Sequence, residues 1–469
     1  MTDFRTEYPE YQDTVKLDDL RHNEYGYLDE QGHLYLDYTG AGLAARAQYR
    51  AHADRLSGAL FGNPHSVNPT SEASTELVER ARARVLAHFN ASPDEYTAIF
   101  TPNATGAARL VGEAYPFTRR TRLVLTFDNH NSVNGLREFA QRGRAKTVYV
   151  PTQAPELRTS WPVLEKALTD GRRGLFAYPA QSNFSGVRHP FDWIGRAQRL
   201  GYDVLLDAAA YLPTGELNLR VVRPEFVLVS WYKLFGYPTG VGCLIARRDA
   251  LAKLVRPWFS GGTIQAVSVG MPWHTMAPDE SAFEDGTLNF LSIPDVHFGL
   301  DWLAGIGVPV VGTRVRCLTG WFLRRLSDLT HGDGAPMTRV YGPTDTTDRG
   351  GTVAFNFLDA AGHVVDERLV ALETSAARIS LRTGCFCNPG VGENAFGLDL
   401  DALKSLRGAR TSSLDEYLQL IGLPSAGAIR VSFGLVSTVD DVNRFVAFAE
   451  ETYRDRVPDS ANLPTRDRC

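Results

Sequence analysis

The sequence contains no apolar run long enough to span a membrane and no Lys/Arg-rich run that suggests a basic patch. Residues 1–30 are charged and polar, without the apolar core of a secretory signal or the acid-poor character of a transit peptide. Lys+Arg number 49 against 54 Asp+Glu, so the net charge of -5 gives no reason to expect a nucleic-acid partner. We therefore expect a cytoplasmic protein that binds neither membranes nor nucleic acids.

Cysteine is scarce, with five residues in 469, too few for a disulfide framework, so we expect free thiols. Cys243 and Cys317 lie in apolar stretches and are predicted to be packing residues, while Cys469 is the last residue. Cys385 and Cys387 differ, because they share a loop bounded by glycine and proline. No second Cys/His cluster would complete four metal ligands, so we expect no metal site. A nucleophilic thiol is a better interpretation than an inert structural pair, which would favour a core.

The chain also lacks internal repeats, and its central part alternates apolar strand patterns with helical ones. Strands are predicted at residues 98–100, 122–127, 147–151, 174–178, 204–207, 226–230 and 242–246. Helices are predicted at residues 72–89, 107–115, 161–169, 190–200 and 285–304. Such alternation predicts an α/β fold with a mostly parallel central sheet that is covered on both faces.

The pattern changes after about residue 312. The helices predicted there are 313–329, 366–378 and 438–453, and the strands are 338–341, 352–357, 379–383 and 428–432. We interpret this part as a smaller α+β domain. The predicted organisation is an N-terminal segment that packs on the small domain (1–35), a large cofactor-binding domain (36–305), the small domain (306–456) and a tail (457–469).

Lys233 occupies an unusual place, directly after the predicted strand 226–230 and inside a short turn that ends at Gly236. An enclosed lysine amine loses its proton more easily, and the neutral amine can form a Schiff base with a carbonyl compound. A surface lysine on a loop is the alternative. A second strand end decides between them, because Asp207 closes the strand 204–207. A strand-end Asp beside a strand-end Lys is the pair that pyridoxal phosphate requires, although Asp207 alone would also suit a helix N-cap.

Three further strand ends carry polar residues: Thr105, His130 and Asn183. The small-residue turn at 101–106 opens a helix and presents N–H groups to an anion such as the cofactor phosphate, with simple N-capping as the equal alternative. His130 is a candidate to stack on the cofactor ring, and Asn183 to donate to its hydroxyl, although each would also serve as an ordinary structural residue. Ligands bind at the carboxyl ends of strands in open α/β sheets, so the recurrence predicts one site.

Two arginines complete the candidate residues. Arg382 precedes the Cys-Phe-Cys segment at 385–387 and would favour a thiolate there. Arg430 lies within the predicted strand 428–432 and is a suitable bidentate partner for a substrate α-carboxylate, with a surface arginine as the alternative.

These motifs resemble those of class V aminotransferase-type enzymes of pyridoxal-phosphate fold type I, and more narrowly the cysteine-desulfurase-like domain of molybdenum cofactor sulfurases. The lysine loop (230–240) and the double-cysteine loop (382–390) are the specific signals. Weaker matches lie at residues 36–41, 62–66, 261–263 and 283–287. Two departures from many cysteine desulfurases, Tyr232 for His and Ala210 for Gln, fit the molybdenum cofactor sulfurase branch. A third cysteine that the resemblance suggests after this loop is missing, since Val391, Gly392 and Glu393 follow.

The resemblance implies a role for each candidate. Lys233 would hold the cofactor covalently, Asp207 would pair with its ring nitrogen, His130 would stack on its ring, and Cys387 would accept sulfur. Arg430 and Arg382 would bind the substrate. The implied cofactor-binding residues are Ala104, Thr105, His130, Asn183, Asp207, Ser230, Tyr232, Lys233 and, reaching the cofactor of a partner subunit, Thr263.

We therefore expect a homodimeric pyridoxal 5'-phosphate enzyme, with active sites at the dimer interface, that takes sulfur from L-cysteine through a Cys387 persulfide and releases alanine. The persulfide sulfur would pass to an acceptor of unknown identity. Alternatives in the same superfamily are a C–S lyase, an epimerase or an aminotransferase acting on an amino acid, in which the cysteines would be incidental. A non-catalytic scaffold is disfavoured, because Lys233 and Asp207 are both present.

Overall fold

The computed structural model describes residues 3–64, 66–398, 404, 413–421, 427–459 and 463–466. Cys469 and part of the predicted tail lie outside the described residues. The strands are β1 Leu34–Tyr35, β2 Tyr96–Thr101, β3 Thr121–Thr126, β4 Lys146–Val150, β5 Arg173–Pro179, β6 Tyr202–Asp207, β7 Phe226–Ser230, β8 Gly242–Arg247, β9 Ile264–Ser268, β10 Trp273–Met276, β11 Thr338–Tyr341, β12 Thr352–Phe357, β13 Ile379–Ser380, β14 Arg382–Gly384 and β15 Ala428–Ser432.

The described α-helices connect and cover these strands. They are Phe4–Glu7, Lys16–Tyr25, Tyr27–Glu30, Arg46–Gly58, Pro69–His88, Ala104–Ala114, Asn131–Asn134, Leu136–Arg142, Trp161–Leu168, Asp192–Arg199, Trp231–Phe235, Arg248–Leu251, Ile293–Ile306, Val308–Asp328, Glu367–Ala376, Pro389–Ala395, Leu414–Ile421 and Val439–Tyr453. Two 3-10 helices span Pro9–Thr14 and Glu280–Phe283.

A seven-stranded sheet forms the centre of the fold, in the order β2-β8-β7-β6-β5-β3-β4. Strand β8 is antiparallel to both of its neighbours, and the remaining neighbours are parallel. In β6, Val204 and Leu206 pack in one core cluster and Leu205 in another. A strand that is apolar on both faces is what a sheet covered by helices on each side requires. The predicted mostly parallel α/β fold is confirmed.

A second, four-stranded antiparallel sheet has the order β11-β12-β15-β14. Its core includes Phe322 from helix Val308–Asp328, Phe355 from β12 and Phe445 from helix Val439–Tyr453. The Phe322 ring centroid lies 6.0 Å from that of Phe355 and 5.6 Å from that of Phe445. Near the N-terminus, β1 pairs in parallel with β13. The exact domain boundaries stay a prediction.

Two predicted elements differ from the structure. The helix predicted at 285–304 begins at Ile293, where Pro294 occupies the first turn, and the preceding segment includes Gly286 at φ 75°. Proline suits the first turn of a helix, whereas a positive φ is incompatible with one. The strand predicted at 379–383 is divided, because residues 379–380 pair with β1 and residues 382–384 with β15. The prediction also missed the β9–β10 hairpin.

Within the described part of the chain, no single helix has both the length and the apolar composition of a membrane span. The helices Ile293–Ile306 and Val308–Asp328 pass that test only as a pair, with a bend of 68° between them. Leu300 of the first helix is fully buried in the core cluster that contains Val204 and Leu206. Phe322 of the second helix is fully buried in the core of the four-stranded sheet.

Candidate active site

A cavity of about 440 Å³ lies at the carboxyl ends of the central strands. It brings together eight of the predicted residues: Ala104, Thr105, His130, Asn183, Asp207, Ser230, Tyr232 and Lys233. Four other predicted residues, Thr263, Arg382, Cys387 and Arg430, are not part of its lining. The strand-end argument therefore identifies one cavity.

Lys233 lies in the short helix Trp231–Phe235, which begins as soon as β7 ends. Trp231 is fully buried and stacks on Phe235, with ring centroids 6.2 Å apart, so the turn is fixed on the core side. Gly236 ends this helix at φ 79°, and a Cβ there would collide with the backbone of Leu43. Burial lowers the pKa of the Lys233 ammonium group, although Asp207 opposes that shift. The sequence thus places the Lys233 amine, with its lowered pKa, at the cavity wall.

Asp207 ends β6 and is 8% exposed. The backbone N–H of Ala209 donates to its Oδ1 over 3.0 Å, which fixes the carboxylate, and Oδ2 has no hydrogen-bond partner among the described residues. Burial raises the pKa of Asp207, while the Ala209 N–H and Lys233 act in the opposite direction. A buried carboxylate with one free oxygen suits a cationic ring nitrogen.

His130 is joined to Thr105 through a residue that the sequence prediction missed, Ser132. The Ser132 N–H donates to His130 Nδ1 over 3.1 Å, and the Ser132 Oγ lies 2.8 Å from the same nitrogen. The Thr105 Oγ1 lies 2.7 Å from the Ser132 Oγ. Burial lowers the pKa of His130 to about 4, with Lys233 and Arg430 adding to the shift. The ring is therefore neutral near pH 7, and its protonated nitrogen is assigned as Nε2 because Nδ1 accepts.

The helix Ala104–Ala114 begins at the cavity, at the turn that was predicted either to cap the helix or to bind an anion. The Asn103 side chain caps it by accepting from the Gly106 N–H over 2.9 Å. The first N–H groups of a helix have no partner within it, and Ala104 and Thr105 line the cavity. The N-cap and the anion-binding turn are thus compatible, since they use different groups.

The double-cysteine loop is attached to the cavity by its backbone and by Asn388. The Asn131 N–H, next to His130, donates to the Cys387 carbonyl over 2.7 Å. The Asn388 Nδ2 donates to the Asp128 carbonyl and to the Asn183 Oδ1, each over 2.8 Å. Asn183 Nδ2 donates in turn to the Phe386 carbonyl over 2.8 Å. These hydrogen bonds hold the loop on both sides of Cys387.

The two cysteines of this loop differ in state. Cys387 is exposed and carries a free thiol, with its backbone at φ 53°. Cys385 is 6% exposed and is disulfide-bonded. The expectation that all five cysteines are free thiols is therefore wrong for Cys385, and Cys387 is the thiol of this loop that is available for reaction.

Arg382 and Arg430 share a carboxylate that the prediction missed, Asp37. Arg430 Nη2 donates to Asp37 Oδ1 over 2.8 Å, and Arg382 Nη2 donates to Asp37 Oδ2 over 2.9 Å. Arg430 is 2% exposed and also donates to the Asn183 carbonyl over 3.1 Å, whereas the Arg382 side chain is 52% exposed. Arg382 was expected to favour a Cys387 thiolate, but the structure pairs it with Asp37 instead. Of the two arginines, Arg382 is the one open to a ligand.

Thr263 lies outside this cavity, directly before β9. It is fully buried, and its hydroxyl donates to the Ser260 carbonyl over 2.9 Å. Its predicted role concerns the cofactor of a partner subunit and stays a prediction.

Other lining residues escaped the sequence prediction, among them Ser132, Gln181 and Thr239. Each lies within a few residues of a predicted one, in the same loop after a strand. A prediction that included the whole segment after each strand would have found these residues.

The description "Aminotransferase class-V" belongs to the family model that matches residues 34–445, most of the chain. The chain belongs to the class V aminotransferase family. Members of this family are pyridoxal-phosphate enzymes, so the cofactor and the enzyme class expected from the sequence are confirmed.

Curated relatives and solved structures agree with this assignment. A molybdenum cofactor sulfurase from Solanum lycopersicum is 34% identical over 93% of this chain and 57% of its own length. The chain spans about half the length of the curated relatives it matches. A cysteine desulfurase from Thermococcus onnurineus NA1 has a TM-score of 0.76 at 23% identity and covers 93% of this chain and 97% of its own. A cystine C–S lyase in complex with cysteine persulfide has a TM-score of 0.69 at 18% identity, covering 90% and 98%.

The cavity of this class V aminotransferase fits the cofactor. Asp207 offers a free carboxylate oxygen for the ring nitrogen, and Lys233 offers an amine of lowered pKa for the aldehyde. The helix start at Ala104 and Thr105 faces the same cavity and suits the phosphate. His130 is neutral and adds no charge beside the ring.

Proposed function

We propose that this enzyme takes the sulfur of L-cysteine onto Cys387 as a persulfide and releases alanine. The attachment of the cysteine loop to the cavity carries the proposal. The Cys387 carbonyl accepts a hydrogen bond from the N–H of Asn131, the residue after His130. The Cys387 thiol is free and exposed. The molybdenum cofactor sulfurase and cysteine desulfurase names of similar proteins support the same chemistry.

The chain supplies the groups that such a reaction needs. When bound, pyridoxal phosphate acts as an electron sink for the substrate carbons. Lys233 has the lowered pKa of an amine that takes up and returns a proton. The Cys387 thiolate attacks the substrate sulfur, so that a sulfur–sulfur bond forms as the carbon–sulfur bond breaks, and the carbon gains a proton. One cysteine and one thiol give one alanine and one persulfide.

The pair of arginines on Asp37 is the proposed recognition site for the substrate carboxylate. Arg382 is half-exposed, so one edge of its guanidinium group is accessible, while Arg430 is buried behind it. Guanidinium groups bind carboxylates through parallel N–H donors. In this proposal Arg382 makes the direct contact and Arg430 adds charge.

We also propose a homodimer, on the evidence of the β9–β10 hairpin. Its two strands pair only with each other within the described residues. Several large apolar side chains on and around it are exposed: Phe259, Val267, Val269, Met271 and Trp273. Exposed apolar patches mark interaction surfaces, and Thr263 directly precedes this hairpin, so a second copy seated here would bring Thr263 to the interface.

Product analysis tests the reaction. The cofactor-loaded protein incubated with L-cysteine is expected to release alanine and to carry one extra sulfur atom on the peptide that contains Cys387. A C–S lyase would instead release pyruvate and ammonia and leave the loop peptide unmodified. Absence of alanine with every amino acid tested would overturn the proposal.

Asp207→Asn is expected to retain cofactor binding but to lose turnover about 100-fold or more, because a neutral amide no longer stabilises a protonated ring nitrogen. The turnover rate with L-cysteine is the measurement. Asp203→Asn is the matched control, since Asp203 lies on the same strand and bonds Tyr115 and Lys253 away from the cavity. Near-normal turnover of Asp207→Asn would contradict the assigned role.

Asn388→Ala is expected to slow persulfide formation about 10- to 100-fold, because small displacements of a nucleophile carry large rate penalties. The alanine variant loses both bonds from Nδ2 that hold the loop. The cofactor's affinity is expected to stay unchanged. Asn394→Ala is the control, because Asn394 lies in the helix Pro389–Ala395 that begins directly after Asn388, but it donates to Thr152. Equal persulfide rates in both variants would show that Asn388 does not position Cys387.

A further inference from the structure

A second cavity, of about 340 Å³, lies where the loop after β5, the first turns of helix Val308–Asp328 and the residues before β12 meet. Its charged side chains are three arginines, Arg188, Arg316 and Arg349, and one carboxylate, Asp348. Thr313 and Thr346 add hydroxyl groups. The lining is therefore polar and carries an excess of positive charge.

Arg349 is a buried cation that has no ion-pair partner in the part of the chain that the structure describes. It is 5% exposed, and no carboxylate among the described residues lies within ion-pair distance of it. It donates to the carbonyls of Ser185, Pro343 and Thr352. Burial lowers the pKa of Arg349 to about 10, with the charge of Arg158 adding to the shift. The carboxylates of Asp345 and Glu156 partly oppose this shift. Backbone dipoles satisfy the donors of Arg349, but no described carboxylate forms an ion pair with it, which is costly for a buried ion.

Arg188 likewise has no carboxylate ion-pair partner within the described ranges. One nitrogen of its guanidinium group is also free to donate. Its Nε donates to Gln181 Oε1 over 2.9 Å and its Nη2 to Thr214 Oγ1 over 2.8 Å. Its Nη1 has no hydrogen-bond acceptor among those residues. Burial lowers its pKa as well, while Tyr211 and Asp348 act in the opposite direction. Helix Val308–Asp328 contributes Arg316, whose Nη2 lies 2.9 Å from Glu10 Oε1 and whose side chain is 46% exposed.

We propose that this cavity is a binding site for the phosphate dianion. Guanidinium groups from three separate segments match a tetrahedral oxyanion with several acceptor oxygens, and the threonine hydroxyls add neutral donors. A bound dianion adds negative charge beside Arg188 and Arg349, which form no ion pair with a carboxylate among the described residues. This site does not depend on the proposed sulfur transfer.

The site is connected to the cofactor cavity through Gln181. Gln181 lines the cofactor cavity and accepts the bond from Arg188, while Gly350, which lines the second cavity, packs so tightly on its amide that a Cβ would not fit. Phosphate bound to Arg188 therefore acts on a side chain that faces the cofactor.

Calorimetric titration of the cofactor-loaded protein with inorganic phosphate tests the site. Loaded protein is used so that the cofactor's own phosphate occupies the other cavity, and sodium chloride keeps the ionic strength constant. We expect saturable binding of phosphate with a stoichiometry of one per chain. Binding that chloride at equal ionic strength reproduces would overturn the proposal.

Two variants locate the binding. Arg188→Gln and Arg316→Gln are each expected to weaken phosphate binding about tenfold, the equivalent of one charge-assisted contact. Arg316 is half-exposed, so its variant keeps the test valid even if the Arg188 variant fails to fold. Arg454→Gln is the matched control, because Arg454 is 45% exposed and paired with Glu450 on a distant helix. Unchanged affinity in the Arg316 variant, or equal loss in the control, would contradict this location.

Discussion

Lys233→Ala is expected to abolish the covalent attachment of the cofactor and to lower turnover by a factor of about 100 to 10,000, the range that a positioned acid–base group contributes. Lys233 is the amine that lines the cavity, and burial lowers its pKa, so its neutral fraction exceeds that of an ordinary lysine at the same pH. No substitute without an amine can form the carbonyl adduct. The variant should still fold, because alanine leaves the packing of Trp231 on Phe235 unchanged.

Borohydride reduction followed by peptide mass analysis measures the attachment directly. Wild-type protein should yield a modified peptide that contains Lys233, and the variant should yield none. Lys253→Ala is the control, because Lys253 pairs with Asp203 at the surface, over 2.6 Å. A reduced adduct at any other lysine of the wild-type protein would refute the assignment.

Cys387→Ser is expected to eliminate the persulfide and the release of alanine while leaving cofactor binding intact. The thiol is exposed and lies outside the cavity lining, so serine changes neither the cofactor contacts nor the fold. A hydroxyl cannot accept sulfur from the substrate, because the new bond requires a sulfur nucleophile. The expected change is thus a complete loss of product with an unchanged absorbance spectrum of the bound cofactor.

Cys385→Ser is the comparison that identifies the nucleophile. Cys385 is buried and disulfide-bonded, so its replacement should affect the persulfide yield less. Mass analysis of the loop peptide after incubation with L-cysteine separates the two residues. Extra sulfur on Cys385 alone would reverse the assignment. Extra sulfur on neither residue, with turnover retained, would leave the lyase or transferase alternatives.

Local patterns were enough to predict the cavity. Thr105, His130, Asn183, Asp207 and Lys233 each follow a strand, and parallel strands bring their carboxyl ends to one edge. All seven predicted strands of the central sheet are present, because apolar segments of that length between helices have few other uses. The cytoplasmic location stays a prediction.

Contacts between distant segments could not be predicted. Asp37 and Arg430 lie 393 residues apart in the chain, so no spacing rule links them. The same holds for the bond from Asn131 to the Cys387 carbonyl, which only the packing of the loop on the sheet creates. The missed hairpin has another cause, since its exposed apolar residues do not show the pattern of a strand with one solvated face.

The shared carboxylate of Asp37 has a mechanical consequence for the cysteine loop. Arg382 and Arg430 are direct partners across the antiparallel pair β14–β15, and like charges in that position repel. Asp37 converts this repulsion into a bridge that draws the two strands together. Strand β14 has only three residues and leads directly into Cys385. The negative charge of Asp37 therefore holds in place the strand from which the reactive loop extends.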